Sequence, residues 1–293
     1  MECSSRLRPG WRTPGGSADH GQGESVADRP GLSNREDLSR AAYYRQGVNW
    51  AERDGKVVEA LNAIVVKRTR WGIWKCFDRL LLQGRDWNHK RVHQVYCAMR
   101  LNLPRRTKKR LPTRLRQPLR IPAAVNAVWS VDFMNDSLYD GRRFRTFNVM
   151  DEGVREALTI EVDTSLPARR IVRVLDRLVQ SRGAPAAIHM DNGPELIAEA
   201  FVDRCGQYGI EPGYIQPGKP DQNAYIERFN RTYREEVLNA HVFADLDQVR
   251  AIRAEWVQVY NEERPHEALG SLPPAAFRAK FESMQPSTSE LST

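Results

Sequence analysis

Three apolar segments with a period of two, residues 127–134, 143–150 and 157–162, follow one another closely, and an Asp140-Gly141 pair stands between the first two. Side chains alternate across a strand, so this period specifies β structure with one row of residues on each face. Asp-Gly suits the positive backbone angles of a tight two-residue turn, which pairs the first two segments as an antiparallel hairpin. Beyond Val162 the pattern changes. Pro167 sits early in a helix that turns Ile171, Val174, Leu175 and Leu178 inward, with Gly183 past its end. Ala187–Asp191 reads as a short apolar strand. A helix with Ile197, Phe201, Val202, Cys205 and Tyr208 inward then stops at Gly209, and a short strand follows near Gly213–Gln216. Pro217-Gly218-Lys219-Pro220 leads into a helix at about 222–239, and another runs from about Leu246 to Asn261. The order βββ-α-β-α-β-α-α predicts an α/β fold, a mixed five-stranded sheet flanked by helices.

Ahead of the sheet the period is helical. Ala60, Leu61, Ile64 and Val65 make one amphipathic segment; Trp71, Trp74, Phe77, Leu80, Leu81 and Leu82 make a second that ends near Gly84. Asn88 is placed to cap a third, with Val92, Val95, Tyr96 and Met99 inward and Lys90, Arg91, Gln94 and Arg100 outward. Helix, glycine-containing turn, then a helix with a basic outer face is the outline of a helix-turn-helix, and also of a small helical bundle. The chain therefore divides into a disordered tail over 1–36, an all-α helix-turn-helix-like region over 37–103, a linker over 104–122, a core with its C-terminal helix over 123–282, and a tail over 283–293.

The linker holds the charge. Lysine and arginine number 45 against 37 acidic residues, a net charge of +8. Arg105, Arg106, Lys108, Lys109, Arg110, Arg114, Arg116 and Arg120 equal that excess, with no acidic residue among them. A polyanion, most simply nucleic acid, is the economical partner for such a run. Cys3, Cys76, Cys97 and Cys205 form no CxxC pair, so neither a disulfide framework nor a zinc ribbon is expected. The spacing Cys76, His89, His93, Cys97 lacks the paired ligands of a tight zinc turn. No apolar run reaches the length of a membrane span and the first residues lack a secretory apolar core, so a cytoplasmic location is expected.

Three carboxylates stand where structure alone does not ask for them. Asp132 lies within the first strand, where aspartate is disfavoured unless exposed, paired or holding a cation. Asp191 ends the fourth strand and enters the turn Asn192-Gly193-Pro194-Glu195. Glu227 shares a helical stripe with Asn223, Arg231 and Arg234, opposite the apolar stripe of Ile226, Phe229, Tyr233 and Val237. That helix alone is equally a surface helix laced with ion pairs. If the first and fourth strands are neighbours, all three acids converge on one sheet edge. Clustered carboxylates repel, so convergence implies a cation; Mg²⁺, which takes oxygen ligands, is the natural one.

Trp129-Ser130-Val131-Asp132-Phe133, Asp191-Asn192-Gly193-Pro194-Glu195 and Gln222-Asn223-Ala224-Tyr225-Ile226-Glu227-Arg228-Phe229-Asn230 resemble the three acidic motifs of insertion-sequence transposases with a retroviral-integrase-like core. The likeness is to the second-reading-frame product of the bacterial family built from two frameshift-linked frames. Tyr260-Asn261, Arg264-Pro265-His266 and Leu269-Gly270 resemble its C-terminal signature. The resemblance implies an RNase H-like fold and a catalytic triad of Asp132, Asp191 and Glu227 holding two Mg²⁺ ions, with Mn²⁺ able to substitute. It also implies strand cleavage and strand transfer at the element's ends, without a covalent protein–DNA intermediate. DNA is the implied partner, as terminal inverted repeats and as target, bound by a homo-oligomer together with the first-reading-frame product or a fusion to it; when DNA-bound, the protein would sit with the nucleoid. Arg234 matches the family's basic residue on terminal DNA, and Arg231, Asn223, Lys219, Lys90, Arg91, Arg105, Arg106, Lys108, Lys109 and Arg110 are the further expected contacts. Glu152-Gly153-Val154 before Arg155 departs from the family's usual aromatic or hydroxylated run, and Asp221 replaces a small hydroxyl residue. A competing reading is a catalytically inert DNA-binding remnant or regulator of transposition.

Overall fold

The β1–β2 hairpin sets the architecture. In the computed structural model, which describes residues 50–102, 124–215 and 223–284, β1 (Val128–Ser137) pairs antiparallel with β2 (Arg143–Asp151), Asp132 facing Asn148 across the ladder. Leu138, at the turn, closes it by accepting from Gly141 N–H, and Gly141 takes the positive φ of 84° that its lack of a Cβ permits. Antiparallel β3 (Ala157–Asp163) adds to β2, while β4 (Ala187–Met190) and β5 (Glu211–Tyr214) add in parallel on the other side of β1. The sheet order is β3-β2-β1-β4-β5. This is the expected RNase H-like mixed sheet.

Alternate residues of the strands feed two cores, as the period of two requires. On one face Trp129, Val131, Phe147 and Val149 pack with Ile171, Val174 and Leu175, and with Phe201 and Cys205. On the other Met134, Phe144, Met150 and Ile160 pack with Ile226, Phe229, Tyr233, Trp256 and Tyr260. The helices are α1 (Trp50–Val65), α2 (Ile73–Leu82), α3 (His89–Ala98), α4 (Ala168–Arg182), α5 (Glu199–Gln207), α6 (Ala224–Tyr233), α7 (Leu246–Glu262) and α8 (Pro274–Met284). The first three share a core of Val57, Leu61, Trp71, Leu80, Val92 and Tyr96, which Val259 of α7 joins. Asn88 caps α3 as expected, its side chain accepting from Lys90 N–H at 2.9 Å. No helix among the described residues is long and apolar enough to cross a membrane.

Two helical readings need correction. The helix expected over 222–239 is α-helical only to Tyr233 and continues as a π-turn over Arg234–Leu238. The wider turn brings both Val237 and Leu238 into the core behind Tyr233, which straight α-geometry would rotate apart. Ile197 and Val202 are 54% and 37% exposed, not inward. Because α5 begins only at Glu199, Leu196 takes the buried place before it, and Phe201 and Cys205, four apart, take its inner face. The expected tail over 283–293 begins later, since Ser283 and Met284 still belong to α8; its remainder, the expected tail over 1–36, the basic linker and the Pro217–Pro220 stretch lie outside the described residues.

Candidate active site

Strand register brings the two aspartates level. Ser130 of β1 pairs with His189 of β4 in parallel, so Asp132, in the middle of β1, and Asp191, the residue that follows β4, are each two residues on from one ladder pair. Both are on the α6 face, since Ile188 and Met190 point the other way into the opposite core. Trp129 likewise goes to the opposite face. Glu227 is exposed on the first turn of α6, held there by Ile226 and Phe229 buried against the sheet.

Asp132 is the most constrained of the three. Its Oδ1 accepts from the Phe133 N–H at 2.7 Å and its Oδ2 from Asn230 Nδ2 at 2.7 Å. Asn230 in turn accepts from Asn148 Nδ2 at 2.6 Å, so a chain of amides runs from β2 through α6 to the carboxylate. Burial pushes the Asp132 carboxyl up to about 6; the Asp191 and Glu227 charges add to the shift, while the hydrogen bonds from Phe133 and Asn230 oppose it. Both other acids therefore raise the cost of charging Asp132. Asp191 is steadied by the Gly193 N–H, which donates to its Oδ1 at 3.2 Å. Arg145, lying 4.4 Å over the Phe133 ring, pairs with Glu195 of the same turn.

Among the described residues no three His, Cys, Asp or Glu side chains stand together at metal-holding distance. The donor chemistry nevertheless suits a hard divalent ion. The acids are oxygen donors, and burial, with the Asp191 and Glu227 charges adding to it, raises the Asp132 proton affinity, a condition a cation relieves. Cys76, by contrast, is buried with its thiol toward the Trp71 carbonyl at 3.6 Å, away from the His93–Cys97 contact on α3.

The expected DNA contacts are placed unevenly. Arg231 is exposed in the last turn of α6. Arg234 opens the π-turn and is tethered to the end of β1, donating to the Asn135 carbonyl at 3.0 Å and pairing with Asp136 at 3.5 Å. Asn223, expected on the exposed stripe, is 5% exposed at the helix N-cap, and its Oδ1 is buried without a partner among the described residues. Lys90 is exposed; Arg91 is engaged, pairing with Asp54 of α1 at 2.8 Å. Lys219, Arg105, Arg106, Lys108, Lys109 and Arg110 lie outside the described residues. Sequence reading missed Asn230 and Asn148. Asn230, one helical turn after Glu227, carried a usable signal; Asn148 carried none until the register set it opposite Asp132.

The Arg264-Pro265-His266 segment is packing. Arg264 is buried and pairs with Glu236 at 3.1 Å, while the His266 ring meets Tyr260 edge-on at 4.8 Å.

Two family profiles, both described as integrase core domain, match residues 122–220 and 208–274. The 39.2 kDa protein of insertion element IS476 from Xanthomonas euvesicatoria is 37% identical over 258 residues, covering 87% of this chain and 75% of that protein. The 31.7 kDa protein of insertion element IS407 from Burkholderia multivorans is 36% identical over 260 residues, covering 87% of this chain and 94% of its own. A simian T-cell lymphotropic virus intasome, solved with the PP2A regulatory subunit B56 gamma, contains a chain 15% identical with a TM-score of 0.49, over 72% of each chain. On the identity and coverage of the insertion-element relatives and the matched core, this chain belongs to the insertion-sequence transposases with an integrase-like core.

Proposed function

We propose that the chain cuts one DNA strand at each end of an insertion element and joins the freed end to a target, using Asp132, Asp191 and Glu227 as the acidic triad. The observation that carries this reading is the levelling of Asp132 with Asp191 beneath the Glu227 helix, where both other acids bear on the Asp132 carboxyl. Those three side chains would hold two Mg²⁺ or Mn²⁺ ions. Bound there, the ions would activate the attacking oxygen and stabilise the leaving oxygen of a phosphodiester. In the first step a water oxygen bonds to phosphorus and the 3′ oxygen leaves as a hydroxyl. In the second that hydroxyl attacks a target phosphodiester, one P–O bond forming as another breaks. Asn230 and the Phe133 N–H hold the Asp132 carboxylate at a fixed rotation throughout. In this reading Arg231 and Arg234, on the same helix as Glu227 or just beyond it, would meet the DNA phosphates, and Lys90 would serve the helical region in the same way. The homo-oligomer, the inverted repeats and the first-frame partner belong to this reading.

Among the described residues no three acids form a group able to hold a metal ion, which is the observation on the side of the second reading, a DNA-binding regulator without chemistry. Mg²⁺-dependent nicking of the element's own end DNA, supplied with the first-frame protein, separates the two. Nicking by the wild type that is lost in Asp132→Asn and Glu227→Gln is expected. Equal nicking by all three proteins, or binding without cleavage in both Mg²⁺ and Mn²⁺, would overturn the catalytic reading.

A further inference from the structure

Glu152 stands one residue past β2, in the stretch where the sequence departs from the family pattern, and the proposed reaction gives it no part. Its side chain is 3% exposed. Its Oε1 accepts from two donors, the buried Ser130 hydroxyl and His189 Nδ1, the latter at 2.8 Å. Ser130 and His189 are partners across the β1–β4 ladder, and each precedes one of the paired aspartates by two residues. The backbone fixes Glu152 as well. Its N–H donates to the Val128 carbonyl at 3.0 Å, and its own carbonyl accepts from Arg155. On the far side, the His189 ring lies against Gly213 of β5, where an added Cβ would come within 2.7 Å of the ring Cδ2. One buried carboxylate thus ties together β1, the end of β2 and β4, and the histidine it holds rests on β5.

A buried carboxylate costs several kcal/mol to desolvate, so hydrogen bonds or a cationic partner must offset it. Here the donors come from the two strands whose next same-face residues are Asp132 and Asp191. Residues two apart on a strand share a face and move with one backbone segment, so fixing Ser130 against His189 fixes the lateral distance between the two aspartates. Metal sites tolerate misplacement of only about half an ångström before affinity falls.

We infer that Glu152 is a positioning residue, which through Ser130 and His189 sets the separation of Asp132 and Asp191 for divalent-ion binding. The inference rests on the reading of those aspartates as metal ligands. It differs from a packing role in what it moves: ion affinity, not only stability.

The test is Mn²⁺ titration of the full chain, with free Mn²⁺ followed by electron paramagnetic resonance and melting temperature recorded in parallel without metal. Glu152→Gln is expected to raise the half-saturating Mn²⁺ concentration about ten-fold, the scale on which groups behind metal ligands act. Ser130→Ala, which removes one donor and almost no volume, should shift it in the same direction by less. Asp132→Asn should abolish saturable binding. If Asp132→Asn loses binding while Glu152→Gln and Ser130→Ala stay within about two-fold of wild type, the positioning role is overturned and the site reading stands. If Asp132→Asn binds Mn²⁺ as the wild type does, the site reading falls and this inference with it. Should Glu152→Gln fail to fold, Ser130→Ala decides alone.

Discussion

Replacing Asn230 with alanine cuts the amide chain that holds Asp132, and the cost can be worked out from its partners. Asn148 is fully buried, its Oδ1 already lacks a partner among the described residues, and its Nδ2 donates to Asn230 Oδ1. In Asn230→Ala that donor is stranded, a penalty of about 1–3 kcal/mol. Asp132 loses the Nδ2 donor at 2.7 Å, and a hydrogen bond to a charged group contributes about 1.5–3 kcal/mol. The two losses share one side chain and do not add fully, so about 3 kcal/mol is the expected total. For a chain of this size that lowers the melting temperature by about 6–12 °C. The assay is thermal unfolding of Asn230→Ala, Asn148→Ala and the double variant without metal. If the chain of amides exists in solution, the double variant costs less than the sum of the singles by about 1 kcal/mol or more, because the second mutation removes a group the first had already stranded. A drop of less than about 2 °C in Asn230→Ala, or strict additivity in the cycle, would refute the reasoning.

Two further predictions concern the support behind the site. Glu236 pairs with buried Arg264 at 3.1 Å and accepts from Trp256 Nε1 at 3.0 Å, so Glu236→Ala should cost about 3–5 kcal/mol by leaving a buried guanidinium uncompensated. The apolar double variant Glu236→Leu/Arg264→Met should recover most of that loss in the same melting assay; equal instability of both proteins would count against the buried pair. His266 has its pKa lowered to about 3, chiefly by burial and then by the neighbouring charges of Arg264, Lys75, Arg228 and Arg155. Because its folded pKa lies below the unfolded value of about 6.5, the unfolded chain binds the extra proton between those values. The stability is therefore complete above about pH 6.5 and lost as pH falls toward about 3, amounting to about 2 kcal/mol by pH 5. Denaturant titrations at pH 7 and pH 5 should show wild type losing that much more than His266→Gln, and parallel losses would show that the imidazole is solvated.

The sheet was legible because its signals are local. Alternation over 127–162, the Asp140-Gly141 turn and the apolar strand at 187 each depend on a few neighbouring residues, and each appears where expected to within three residues. The Asn88 cap was legible for the same reason. The Ile197 and Val202 assignments failed because a turn precedes α5, and apolar character does not reveal which of several adjacent apolar residues packing will choose. The Arg91–Asp54 pair was not legible, because Asp54 lies 37 residues away in the chain and no periodicity links them.

The sequence by itself determined the order of elements, the acidic residues that interrupt them and the basic stretch between its two regions, since propensity, turn chemistry and charge are written residue by residue. Only the tertiary structure decided that β1 and β4 lie side by side in a register that levels Asp132 with Asp191. It alone set Asn148 opposite the first of them, and Glu152 between the residues that precede both. The physical reason is that strand adjacency and register come from burying two sheet faces at once, a condition on the whole fold that no single stretch of chain contains.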